Sequence, residues 1–220
     1  VSRSDTDGIA RMSELHRQLF DEGLVRGIEV VNTDTFSEEA LRIALERNLT
    51  IVGNTDIHGL IEWVYPAGRK HRPVTLVFAK EKTLACLHEA LRERRTAVWF
   101  NNTLIGRAEW IEPLVRASLT FKAAGYRPDR RRFTIQERPD TSMLEVEVVN
   151  RSDADFILRN TGPHRVANEA DVFTVPAQSS QRLNVLTVNR LAEVPLRFEV
   201  MNALVGPGRH PEIGWSLKVD

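Results

Sequence analysis

The sequence is poor in several things that would decide its class at once. It has one cysteine, Cys86, in 220 residues, which excludes an internal disulfide framework. Cys86 falls on a helical stripe and reads as a small apolar group. No apolar run approaches the roughly 20 residues that a membrane-spanning helix needs. No leader pattern is present, but the chain begins at Val1, so the compartment is left open. Neither sign of charge is in excess: 30 Lys and Arg face 30 Asp and Glu. Such a balance provides no electrostatic footprint for nucleic acid or for an anionic membrane. Histidine is scarce, at six residues, and no His-x-His occurs. What is present is ordinary for a globular protein: 42% hydrophobic and 27% charged residues, in a chain long enough for two modest domains.

The most informative stretch is Leu49–Gly59, Leu-Thr-Ile-Val-Gly-Asn-Thr-Asp-Ile-His-Gly. A short apolar run ending at Gly53 and preceded by a helical pattern predicts a buried parallel strand. The polar cluster Asn54, Thr55, Asp56 and His58 then falls at the strand's carboxyl end, where α/β sheets and barrels carry their chemistry. In an extended segment residues two apart share a face. Asp56 and His58 would thus aim a carboxylate and an imidazole into one space, a chelating pair for zinc, manganese or iron. The plain alternative is a surface loop with a capping Asp and a hydrogen-bonded His.

The surroundings extend the pattern. Residues 7–22 carry Ile9, Met12, Leu15, Leu19 and Phe20 on one helical face, with Ser4, Asp5 and Thr6 as caps. Val25–Asn32 reads as a strand interrupted by Glu29, whose carboxylate is either paired on the strand's polar side or turned to the barrel mouth. Ser37 caps a helix with Glu38 and Glu39 in its first turn and Ala40, Leu41, Ala44 and Leu45 on its buried face. This strand–helix–strand unit is a βαβ crossover. After His58 a loop runs to Arg72. Its Arg69, Lys70, His71 and Arg72 form either a phosphate-binding set or a solvated charge run. His16 and His88 read as helix-surface or packed residues. Residues 74–79 and 97–100 read as strands. A helix with Leu84, Leu87, His88 and Leu91 on one face lies between them. Asn101 and Asn102 either orient substrate or cap the turn into a helix over 104–116.

Near Ala117 the period changes from helical to alternating. The arginine-rich run Arg127–Arg132 reads as a hairpin loop. Alternation is clean at Met143–Asn150, and further strands are expected at 155–159, 171–175, 181–188, 195–201 and 213–219. Short strands without intervening helices predict an immunoglobulin-like β-sandwich. The expected division is 1–116 for the α/β part and 117–220 for the sandwich.

Gly27-Ile28-Glu29-Val30-Val31-Asn32, a helix, and then Leu49 through His58 together resemble the closing part of a PHP domain, the polymerase-and-histidinol-phosphatase group of metallo-phosphoesterases. The resemblance is closest to bacterial phosphodiesterase-type proteins with an appended β-sandwich. It spans roughly residues 8–120 and is sharpest at 49–58. It implies a fold of α/β plus all-β class: the C-terminal part of a distorted, TIM-like βα barrel followed by the sandwich. It also implies divalent metal ions, with Asp56 and His58 matching the family's last Asp-x-His ligand motif. The implied activity is hydrolysis of a phosphate mono- or diester in a phosphorylated small-molecule substrate. Asn54, Thr55, His71, Arg69, Arg72, Asn101 and Asn102 are the candidates for orienting the ligands or binding substrate. The family's opening His-x-His is absent here. The chain is therefore expected either to be a C-terminal fragment, whose partner is the missing N-terminal barrel segment and which alone is inactive, or to be a non-catalytic binding or scaffold module with a degenerate barrel. Another metallohydrolase, such as an amidohydrolase, is the third reading, because βα barrels share this ligand chemistry.

Overall fold

The computed structural model describes residues 11–66, 71–127, 142–167 and 170–219. The expected caps Ser4, Asp5 and Thr6, the loop residues Arg69 and Lys70, and most of the arginine-rich run lie outside the described residues. The chain divides into two compact units, one running to Ile111 and including Ala203–His210, the other formed by Glu112–Asn202 and Pro211–Asp220.

The first unit opens with α1 (Glu14–Asp21). Its cap is Ser13, whose hydroxyl accepts from the His16 backbone N–H and lies 2.7 Å from His16 Nδ1, so His16 serves the helix start. Leu15, expected on the buried face, is 61% exposed, while Met12 and Phe20 pack on the core. Next come β1 (Gly27–Asn32), β2 (Thr35–Phe36), α2 (Glu38–Glu46) and β3 (Thr50–Asn54). Strands β1 and β3 are parallel neighbours and β2 folds back antiparallel on β1. The crossover helix α2 forms as its sequence requires. The Ser37 hydroxyl accepts from Ala40 N–H, Glu38 and Glu39 occupy the positive end, and Ala40, Leu41, Ile43 and Ala44 are buried. Its last turn is closed by Arg107, whose Nη2 donates to the carbonyls of Ala44 and Leu49.

Helix α3 (Ile61–Val64) sits in the segment expected to be loop. It is followed by β4 (Val74–Val77), α4 (Leu84–Arg92), β5 (Thr96–Phe100), β6 (Thr103–Gly106) and α5 (Ala108–Ser118). One expectation fails here, that of the helix over 104–116, and the expected barrel part is seen among the described residues as two open sheets. The strands lie in a three-stranded sheet of order β2-β1-β3 and a four-stranded sheet that includes β6, β5 and β4, in which β5 runs antiparallel to both β4 and β6. The expected helix over 104–116 begins only at Ala108, because Asn101 and Asn102 make a two-residue hairpin turn that returns the chain as β6. Their φ angles of 44° and 60° are the left-handed pair of a type I′ turn, a conformation that Asn tolerates.

Strand β3 joins β4 and β5 through side chains. Thr75 Oγ1 accepts from Gly53 N–H and donates to Gly53 O, both at 2.9 Å. Thr96 Oγ1 donates to Ile51 O at 2.7 Å. These hydroxyls take the backbone groups that a neighbouring strand would otherwise satisfy. One core, containing Ile28, Val30, Leu41, Ile51, Val98 and Ile105, results. On α4 the apolar stripe stays largely outside, with Leu84 68% exposed, Cys86 half-buried and Ala90 the helix's buried residue.

The second unit follows the alternation closely. Its strands are β7 (Leu119–Tyr126), β8 (Ser142–Asn150), β9 (Phe156–Asn160), β10 (Arg165–Val166), β11 (Val172–Val175), β12 (Ser179–Thr187), β13 (Glu193–Val200) and β15 (Glu212–Lys218). They form sheets of order β10-β12-β8-β7 and β11-β9-β13-β15. Inward residues of the two sheets meet in a ring cluster: Phe121 stacks on Phe198 with centroids 5.4 Å apart, and Trp215 lies 4.6 Å from Phe121. Asn150 is fully buried and fully used. Its amide donates to the carbonyls of Ala154, Val175 and Pro176, and its Oδ1 accepts from Ser152. Between β13 and β15 the chain makes β14 (Ala203–Leu204), which pairs parallel with β6 of the first unit's sheet.

Candidate metal centre

Strand β3 ends at Asn54, so Asp56 and His58 do not share a strand face by alternation. A turn brings them together instead. Asp56 adopts φ = 53°, the left-handed region where short polar side chains are tolerated. Its Oδ1 then stands 3.4 Å from His58 Nε2, with the Asp56 side chain 55% and the His58 side chain 89% exposed. Two donors bound at about 2.1 Å to a tetrahedral ion stand about 3.4 Å apart. Carboxylate and imidazole are also the donor chemistry of zinc, manganese and iron. The pair fits two vertices of such an ion. Among the described residues no third His, Cys, Asp or Glu joins the two.

The loop before the pair is held from behind. Thr33, at φ = 53° just past β1, donates from its N–H to Asn54 O and from its hydroxyl to Thr55 O. Asn54 Nδ2 donates to Glu29 Oε1 at 2.8 Å, and Asn32 Nδ2 donates to Glu29 Oε2 at 3.1 Å. Asn32 Oδ1 accepts from the Thr33 hydroxyl. Glu29 is thus paired within its own strand pair and is separate from the Asp56–His58 contact. Sequence reasoning places Asn32 near the same mouth as His58 but misses Thr33 and the bond from Asn32 to Glu29. The available signal was that two strands of one βαβ unit both end in Asn, which the parallel register places opposite one another as Asn32↔Asn54.

The remaining candidates are placed elsewhere. His71 packs on Trp99 of β5, with ring centroids 3.9 Å apart. Its Nδ1 is buried without a hydrogen-bond partner. Burial, and then the charge of Arg72, hold the His71 imidazole below the ordinary histidine range. Arg72 is exposed. Asn101 and Asn102 form the β5–β6 turn described above. The exposed apolar residues Leu60 and Trp63, 57% and 78% exposed, follow His58 directly in the chain.

Comparison with known proteins bears on both units. A family model described as an Ig-like domain (DUF5001) matches residues 132–216, so the C-terminal part is similar to Ig-like domains. Among solved structures, the chain is similar to a two-domain protein from Bacteroides vulgatus containing a predicted PHP-like metal-dependent phosphoesterase. The TM-score is 0.79 at 27% identity, over 94% of this chain and 57% of that one. The chain therefore spans little more than half the length of that neighbour. No curated protein matches it.

Proposed function

We propose that this chain supplies the Asp56–His58 ligand pair of a PHP-type metal-dependent phosphoesterase, as the C-terminal part of a βα barrel with an appended Ig-like sandwich. The observation that carries the proposal is the 3.4 Å approach of Asp56 Oδ1 and His58 Nε2 at the carboxyl end of β3. The likeness to a protein containing a predicted PHP-like phosphoesterase supports the reaction class. A divalent metal, when bound, supplies a Lewis acid for phosphate oxygens and lowers the pKa of a bound water. The chain's own part is to hold that metal through Asp56 and His58 and to fix the ligand loop through Asn54 and Thr55. Arg72, with Arg69, is assigned to the phosphate. The other ligands come from outside the described residues, on the N-terminal barrel segment that is this chain's partner. The substrate is a small phosphate ester, with a diester favoured by the appended sandwich.

Asp56→Ala and His58→Ala test the assignment. Both side chains are exposed, so folding stability should change by no more than about 0.5 kcal/mol in His58→Ala and by about 1–2 kcal/mol in Asp56→Ala, whose alanine must hold φ = 53°, while zinc or manganese affinity drops at least about tenfold in both. Elemental analysis and urea unfolding read the two quantities. Unchanged metal stoichiometry in both variants would remove the ligand assignment. The lack of a third ligand among the described residues favours a second reading, a non-catalytic binding module. A chain that takes up no metal, and a longer protein containing it that hydrolyses neither bis(p-nitrophenyl) phosphate nor p-nitrophenyl phosphate, would establish that reading instead.

A further inference from the structure

We infer that Glu29 is the positioning residue of the ligand loop, a role that rests on the metal reading of Asp56 and His58 and extends it to a third side chain. The inference starts from a defect in β1. Strand residues three apart ordinarily point to opposite faces, yet Glu29 and Asn32 are hydrogen-bonded to each other. The register against β3 explains how. Glu29 pairs with Val52 and Val31 with Gly53, so the register shifts between them and leaves Val30 as an extra residue. The bulge lets Val30 and Val31 both be buried. It also rotates Asn32 onto the side of Glu29. Bulges are rare in parallel pairs and gather next to active sites, where they re-aim a side chain.

The chemistry at Glu29 requires a carboxylate. It accepts one amide on each oxygen, Asn54 on Oε1 and Asn32 on Oε2. A glutamine offers a single acceptor oxygen and turns its own NH2 toward the other amide. Among the described residues no Lys or Arg forms an ion pair with Glu29, so the amides are what this carboxylate serves. Asn54 is the last residue of β3 and stands two before Asp56. Its side chain is held by Glu29, and its carbonyl and that of Thr55 are held by Thr33. Asp56 then leaves in the left-handed region, which Asp tolerates at a cost that its held neighbours help to offset. Releasing Asn54 frees the loop to relax out of that conformation and to lose the 3.4 Å separation. The ordering runs from the β1 bulge to Glu29, from Glu29 to Asn54, and from Asn54 to the ligand pair.

The test uses the whole chain in three forms besides the unaltered one: Glu29→Gln, Glu29→Ala, and the swap Glu29→Gln with Asn54→Asp. In the swap, the amide introduced at position 29 donates to the carboxylate introduced at position 54, while its oxygen still accepts from Asn32. Amide hydrogen exchange is first measured without metal, with β5 amides as the folding control. Exchange of the Thr33 amide, which donates to Asn54 O, should quicken about tenfold in the two single variants and return in the swap. Zinc affinity, from titration calorimetry, should fall about 10–100-fold in Glu29→Gln. Exchange that stays unchanged at Thr33, or that the swap fails to restore, overturns the role of Glu29. So does quickened exchange with unaltered zinc affinity. If the unaltered chain takes up no zinc, as a site sharing its ligands with an N-terminal segment would, the exchange arms alone decide whether Glu29 orders the loop.

Discussion

His71 shows how a single residue can be legible as a type and illegible as a role. Its place in a basic loop after Asp56 and His58 points to phosphate, but its ring lies on Trp99 and its Nδ1 is buried. No sequence spacing encodes that packing. The consequence is a pH effect on stability. Burial holds the folded-state pKa of His71 below its unfolded value of about 6.5. Between those two values the unfolded chain binds the proton and the folded chain does not. Stability therefore falls as pH drops through about 6.5 and levels off below the folded pKa. Thermal midpoints from pH 8 to 5 should show a shallower acid-side decline in His71→Gln than in the parent. Parallel curves would mean that His71 titrates alike in both states. His164, also lowered by burial, acts in the same direction and remains in both chains, so the comparison isolates His71.

Legibility among the elements divides along a physical line. Helix α2, β3 and the strands of the sandwich are readable because each carries its own periodicity: Ser37 with two glutamates, then a buried face, or Leu144, Val146 and Val148 alternating inward. Elements defined by what they touch are not. Strand β6 reads as part of a helix, because Leu104 and Ile105 continue an apolar pattern and only the Asn101–Asn102 turn reveals the hairpin. The two-residue strands β10 and β14 are too short to have a period. The site divides in the same way. Asp56 and His58 stand out by residue type, whereas the left-handed turn that joins them and the bulge behind Glu29 depend on backbone geometry. Gly53 carries a similar hidden constraint. A Cβ there would stand 2.6 Å from Val98 Cγ1, so β3 lies against β5 at a distance only glycine permits. Gly53→Ala should cost about 1–3 kcal/mol of stability in urea unfolding. Adding Val98→Ala, which removes the colliding methyl groups, should recover part of that loss. No recovery would place the strain in the backbone rather than in the contact.

At the scale of the whole chain, the sequence order and the compact units do not coincide. Residues 203–210 lie between two sandwich strands in sequence but belong to the first unit, where Ala203 and Leu204 pair with Leu104 and Ile105. Ala203 and Val205 are buried and Leu204 packs on the first unit's core. A chain ending after Ser118 keeps α1 to α5 yet lacks the strand at the first unit's sheet edge. It should lose exchange protection at the Leu104 and Ile105 amides and bind a hydrophobic dye, whereas equal protection in both chains would make β14 dispensable. The same arrangement sets a timetable for synthesis. β14 emerges from the ribosome about 100 residues after the strand it pairs with. At translation speeds of about 5–20 residues per second, that is a wait of roughly 5–20 s. For that interval β6 has one open edge, and the nascent chain depends on whatever shields it until the sandwich is nearly complete.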